Sequence, residues 1–196
     1  DRRAAEGDSL SATTPASLAD ATSVAESLAA QRVSSETVTA RYLDDIAHHD
    51  GGVYTFVDAD GALAAARAAD ARLAGGESLG ALDGVPVALK ANIAVRDWPH
   101  TAGLRFRRDD HALNDASIVS RLRRAGAVLL GLTAMDEGAL GAEGMNPWYG
   151  ITHNPRRRGY SAGGSSAGSG AAIAADLCAL ALGTDTIGSV RIPASF

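Results

Sequence analysis

Apolar residues recur every three to four positions in two stretches near the start of the chain. That spacing predicts two amphipathic helices, because residues three and four apart share one helix face. The first spans about Ser17–Ala30, with Ser17 as the N-cap. The second spans about Glu36–His49, capped by Ser34 or Ser35, with Val38, Tyr42 and Ile46 on one face. Asp50-Gly51-Gly52 breaks it, and Val53–Val57 reads as a short strand. An alanine-rich helix over 61–74 follows and ends at Gly75-Gly76.

From residue 83 the pattern changes. Val85–Leu89 and Ala127–Leu132 are continuous apolar runs, the signature of strands buried on both faces. Between them lies a helix that Asp115 is expected to cap, with Ile118, Val119, Leu122 and Ala125 inward and Arg121, Arg123 and Arg124 outward. Residues 133–140 suggest a short helix and 141–158 a long irregular connection. Then SAGGSSAGSGAAIAADL predicts a tight loop entering a helix of small residues, followed by the strand CALALG. This strand–helix–strand rhythm predicts an α/β fold: a mixed, largely parallel sheet flanked by helices.

Composition narrows the function. The formal net charge is −5 and the hydrophobic content 46%, which excludes a basic nucleic-acid footprint and permits a sizeable core. The Arg156-Arg157-Arg158 run reads as solvated surface. No apolar run reaches the length of a membrane span, and DRRAAEGDSL has no apolar segment of a signal peptide. Cys178 is the single cysteine and reads as a small buried hydrophobe, compatible with a cytoplasmic location. The five histidines fall into no metal-binding spacing. The Gly163–Gly170 loop fits neither a P-loop nor a dinucleotide loop, since no lysine follows it and its glycine spacing is different.

One bias is sharper. Of 18 basic residues, Lys90 is the only lysine, and it stands at the end of the apolar run GVPVAL. A serine nucleophile needs a base, and a lysine serves when burial disfavours its charged form. Packing of the small-residue loop and a snorkelling lysine explain the same residues without any chemistry.

Three segments in order, GVPVALKANI (84–93), GGSSAGSGAA (163–172) and LGTDTIGSVRIPASF (182–196), resemble the amidase signature family. The pieces TAG (101–103), DASIVSRLRRAGAVLLG (115–131), MDEGALG (135–141) and HNP (153–155) agree with it. The resemblance implies a Ser-cisSer-Lys hydrolase that cleaves carboxamides through an acyl-enzyme. Position by position, it implies that Ser189 is the nucleophile, Ser165 the bridging serine reached through a cis peptide after Gly164, and Lys90 the base. Backbone N–H groups of Thr186, Ile187, Gly188 and Ser189 would form the oxyanion hole. Ser166 would support the relay, and Asp185 with Arg191 would hold the turn as an ion pair.

Two positions depart from the family pattern: Ile187 stands where glycine is usual, and Ala91 where an aspartate usually follows the lysine. The expected organisation is a flexible N-terminus over 1–16 and the N-terminal part of a single amidase signature domain over 17–196. A chain ending at Phe196, so soon after Ser189, is expected to be inactive alone. Expected partners are a small-molecule amide and a second copy of the chain in a homodimer, with no cofactor, metal, nucleic acid or membrane. Two alternatives stand beside the amidase reading: the glutaminase subunit of a tRNA-dependent amidotransferase, and a non-catalytic binding or scaffold module.

Overall fold

The computed structural model describes residues 20–196, so the flexible N-terminus expected over 1–16 lies outside the described residues. Ser17, the expected first cap, lies outside them as well. The first helix, α1 (Ala21–Ala29), is capped by Asp20, whose carboxylate accepts the Ser23 N–H at 2.9 Å. Ser34 caps α2 (Ser35–His48) by accepting the Thr37 N–H at 3.0 Å. Asp70 adds a second clamp on that helix start, because its two oxygens accept the Ser35 and Glu36 N–H groups. It sits on α3 (Ala59–Ala74) and so ties two helices through donors that no helix can satisfy internally.

Four strands build the main sheet: β1 (Tyr54–Val57), β2 (Pro86–Lys90), β3 (Val128–Thr133) and a strand at Leu180–Leu182, in the order β1, β3, β2 and the last. Strand β1 runs antiparallel to β3, while β2 is parallel to both of its neighbours. The α/β class and the mixed, mostly parallel sheet follow the hydrophobic pattern. Both faces of β2 and β3 are covered. Val85, Ala88, Val128 and Leu130 pack with Val24, Leu28, Val38, Tyr42 and Ala66 on one side. Val87, Leu89, Leu129 and Leu132 pack on the other with Ile93, Val95, Trp98 and two residues of α4 (Ser117–Arg124), Val119 and Leu122. Two covered faces explain why these strands carry no polar alternation.

Three local expectations need correction. Asp115 does not cap α4. Its carboxylate is taken by the Arg96 N–H and the Arg123 guanidinium, leaving Ala116 at the cap position. Ile118 is not on the inner face but 40% exposed. Residues 133–140 form only a 3-10 turn at Glu137–Ala139, because Gly138 and Ala139 both take positive φ and stop any helix. The irregular connection contains a small hairpin, β4 (Met145–Asn146) with β5 (Gly150–Ile151). Asn146 makes its turn by accepting the Trp148 and Tyr149 N–H groups.

The small-residue helix is α5 (Ala167–Ala174), and it leads to β6, the strand at Leu180–Leu182. A short helix, α6 (Arg191–Ala194), ends the fold. Among the described residues no helix is long and apolar enough to cross a membrane. Gly168 shows why α5 is built from small residues. Its N–H donates to Ala134 O at 3.0 Å, and a Cβ there would fall 2.5 Å from Val53 O. Gly168→Ala should therefore force rigid backbones apart and cost about 1–3 kcal/mol. A lowered urea midpoint checks this, and an unchanged midpoint shows that the helix can shift.

Candidate active site

Lys90 closes β2, at the carboxyl edge of the sheet where open α/β folds place their ligand sites. Its side chain is fully buried. Nζ donates to Ser165 Oγ at 2.8 Å, Thr184 Oγ1 at 2.9 Å and Thr184 O at 3.4 Å. Asn92 Nδ2 donates to the same Thr184 hydroxyl at 2.9 Å. Among the described residues no carboxylate touches the amine. Burial therefore dominates and lowers the Lys90 pKa to about 8, against the opposing charges of Asp136 and Asp185. Much of the Lys90 population is then neutral in mildly alkaline solution, beside a buried hydroxyl whose proton it can accept.

Ser165 is held by the turn between the hairpin and α5. The Gly164–Ser165 peptide is cis, and Ser165 O accepts the Asp136 N–H at 3.3 Å. Gly163, at φ 75°, passes so close to α6 that a Cβ would lie 2.8 Å from Pro193 Cα. Glycine is needed there on both counts. Ser166 joins this turn to the one after β6. Its N–H donates to Ser189 O at 2.9 Å, and its hydroxyl lies 3.3 Å from both Thr184 O and the Thr184 N–H.

The turn over 184–191 is organised by Asp185. Its carboxylate accepts the N–H groups of Gly188 at 2.7 Å, Val190 at 3.1 Å and Arg191 at 3.2 Å, and pairs with the Arg191 guanidinium at 2.9 Å. The Arg191 pair and these amides hold the Asp185 pKa well below the usual carboxylate range. The expected ion pair is present. The Gly188 N–H, however, does not face outward as an oxyanion donor, because Asp185 consumes it. The N–H groups of Thr186, Ile187 and Ser189 have no partner within the described residues.

Gly188, and not Ile187, takes the positive φ of this turn, at 127°. Ile187 keeps an ordinary backbone and points outward, 90% exposed. Ala91 lies in the apolar cluster with Ile93 and Val95, so the position after the lysine is part of the core here.

The structure thus brings Lys90 and Ser165 into direct contact and sets Ser189 on the adjoining turn. Ser189 is buried, and its hydroxyl has no hydrogen-bond partner among the described residues. Sequence reasoning missed Asn92, Thr184 and Asp136. Asn92 reaches the site because the chain turns just after β2, with the Ile93 N–H donating to Lys90 O at 2.8 Å, and no residue spacing announces that turn. Thr184 and Asp136 lie inside the family-like segments 182–196 and 135–141, but nothing in the sequence marked their contact with Lys90 and the Ser165 turn.

A family model for amidases matches residues 37–196. The chain belongs to the amidase signature family. Among curated relatives of this family, a glutamyl-tRNA(Gln) amidotransferase subunit from Acidothermus cellulolyticus is 50% identical over 177 residues, which are 89% of this chain and 35% of that protein. The chain therefore spans about a third of the length of that relative. Two solved structures superpose closely. Native peptide amidase from Stenotrophomonas maltophilia has a TM-score of 0.84 at 36% identity, covering 92% of this chain and 39% of its own. A vestigial protein complex described as revealing the evolutionary origins of an s-triazine catabolic enzyme has a TM-score of 0.86 at 43% identity, covering 89% and 39%.

The turn electrostatics have a testable sign. A depressed Asp185 pKa contributes stability that is fully present above the unfolded carboxylate range, near pH 4, and is lost only as pH falls through the much lower folded value. Because folded Asp185 stays ionised well below pH 4, Arg191→Ala should lower the urea midpoint at pH 7 and still lower it at pH 3. A midpoint unchanged by Arg191→Ala at both pH values would show that the ion pair does not stabilise the turn.

Proposed function

We propose that this chain carries the serine relay of an amidase-type hydrolase that cleaves a carboxamide C–N bond. The observation that carries the reading is the 2.8 Å hydrogen bond between fully buried Lys90 and fully buried Ser165, one turn away from a Ser189 hydroxyl with no partner among the described residues. Ser189 Oγ attacks the carbonyl carbon. Its proton passes to Ser165 while the Ser165 proton passes to Lys90, a two-step transfer that a hydroxyl performs without carrying charge. The amides of Thr186, Ile187 and Ser189, unpartnered among the described residues, are the donors available to the developing oxyanion. Protons then return along the same path to the leaving nitrogen, and the C–N bond breaks to leave an acyl ester on Ser189. Water, deprotonated through the same relay, hydrolyses that ester.

Gly164, Ser166, Asp185 and Arg191 support this machinery by positioning it. The substrate is a small-molecule amide, and the same reading places the enzyme in the cytoplasm. A non-catalytic scaffold gives no reason to bury an amine against a hydroxyl.

The second reading is a glutaminase subunit that releases ammonia for a partner protein. The 50% identity to a glutamyl-tRNA(Gln) amidotransferase subunit favours it. Co-purification with a second protein, and glutamine hydrolysis stimulated by it, would distinguish this from a free-standing amidase.

A serine-directed fluorophosphonate should label Ser189 in the intact protein, and Ser189→Ala should lose both the label and the activity. Lys90→Ala should lower kcat by about 10²–10⁴-fold. Because the base must be neutral, kcat/KM should rise with pH through about 8, and this acid limb should disappear in Lys90→Ala. Full activity in Ser189→Ala would falsify the reading.

A further inference from the structure

Asp136 is a buried titratable group that the proposed relay does not use. It follows β3 in the segment Met135-Asp136-Glu137 and is 2% exposed. One carboxylate oxygen, Oδ2, accepts the Glu143 N–H at 3.0 Å. The other, Oδ1, is buried with no hydrogen-bond partner among the described residues. Leaving a buried carboxylate oxygen unpaired is costly, so its place calls for an explanation.

The surroundings supply one. A Cβ on Gly164 would lie 2.7 Å from Oδ2 and 2.8 Å from Oδ1, so the carboxylate rests directly against the turn that presents Ser165. The Asp136 N–H donates to Ser165 O in the same turn. Asp136 is also the foremost charge opposing the effect of burial on Lys90. The other acid acting on Lys90 is Asp185, which Arg191 and three amides already occupy. Facing Asp136 itself, burial and the like charge of Glu143 favour the neutral acid, while the Glu143 and Gly144 amides and Lys90 favour the anion.

We propose that Asp136 is a positioning residue whose anionic carboxylate braces the Gly164–Ser165 turn and stabilises the Lys90 ammonium formed when the relay takes up a proton. This rests on the reading of Lys90 as the base. The physical need is clear. A buried amine with no nearby anion is neutral but a poor proton acceptor, because its cation has nothing to compensate lost hydration. An anion in direct contact would hold the proton too firmly. A carboxylate set behind the bridging serine lies between these extremes. It transfers no proton itself, so the proton balance of the relay is unchanged.

The test is the pH dependence of kcat/KM in the intact wild type, Asp136→Asn and Lys90→Ala. Asparagine keeps the shape and removes the charge. Without the anion the ammonium is less stable, so the Lys90 pKa falls. The acid limb of Asp136→Asn should move to lower pH by about one unit, the lower end of the shift a nearby charge produces. Its plateau kcat should drop about tenfold or more, while the fluorophosphonate still labels Ser189. A lowered plateau with an unmoved limb, beside a limb lost in Lys90→Ala, overturns this proposal alone and leaves Asp136 a packing residue. A limb retained in Lys90→Ala overturns the functional reading, and the proposal with it. A measurement on the wild type needs no variant to fold: the Asp136 ¹³Cγ resonance should report an ionised carboxylate at pH 7. A protonated Asp136 there overturns the proposal.

Discussion

The burial of one amine at the end of β2 is the constraint around which the site is organised. An ammonium removed from water loses hydration that only fixed polar groups can replace. Lys90 meets Ser165 and both oxygens of Thr184, and Asn92 fixes the Thr184 hydroxyl from the other side. None of these partners is charged, so the amine is held but not locked in its protonated form. The same hydrogen bonds that satisfy the lysine set the spacing between the strand end and two separate turns.

Those turns reach the lysine because the backbones between them approach unusually closely. Gly163 lies against Pro193, Gly168 against Val53 and Ala134, and Gly183 against Ser166 and Val190. Each contact would be blocked by a side chain. Asp185 gathers the amides of its own turn, Ser166 ties that turn to the Ser165 turn, and the sheet edge carries both. The cost is a Gly188 amide spent on structure and not on substrate, with Gly188 taking the backbone conformation that Ile187 could not. Ile187 is then free to project outward at the lip of the site.

The architecture was legible wherever one physical effect dominated. Continuous apolar runs marked β2 and β3 because both faces of each strand are covered, and the alanine and glycine content of 163–175 marked a helix meant for close approach. Errors came where several effects compete for one side chain. Asp115 has the residue type of a cap, yet a distant amide and a guanidinium claim it first. The stretch 133–140 has helical composition, but the positive φ of Gly138 and Ala139 interrupts it.

The sequence by itself determined the strand–helix alternation and, through three ordered motifs, the family and the candidate residues Lys90, Ser165 and Ser189. Those signals are local or nearly so: periodicity, residue size and short-range turn chemistry. Only the tertiary structure decided that Lys90 is wholly buried, that Thr184 and Asn92 share its hydrogen bonds, and that Asp136 stands behind Ser165. Desolvation and charge depend on distance in space, and residues 90, 136, 165 and 184 become neighbours only when the sheet forms.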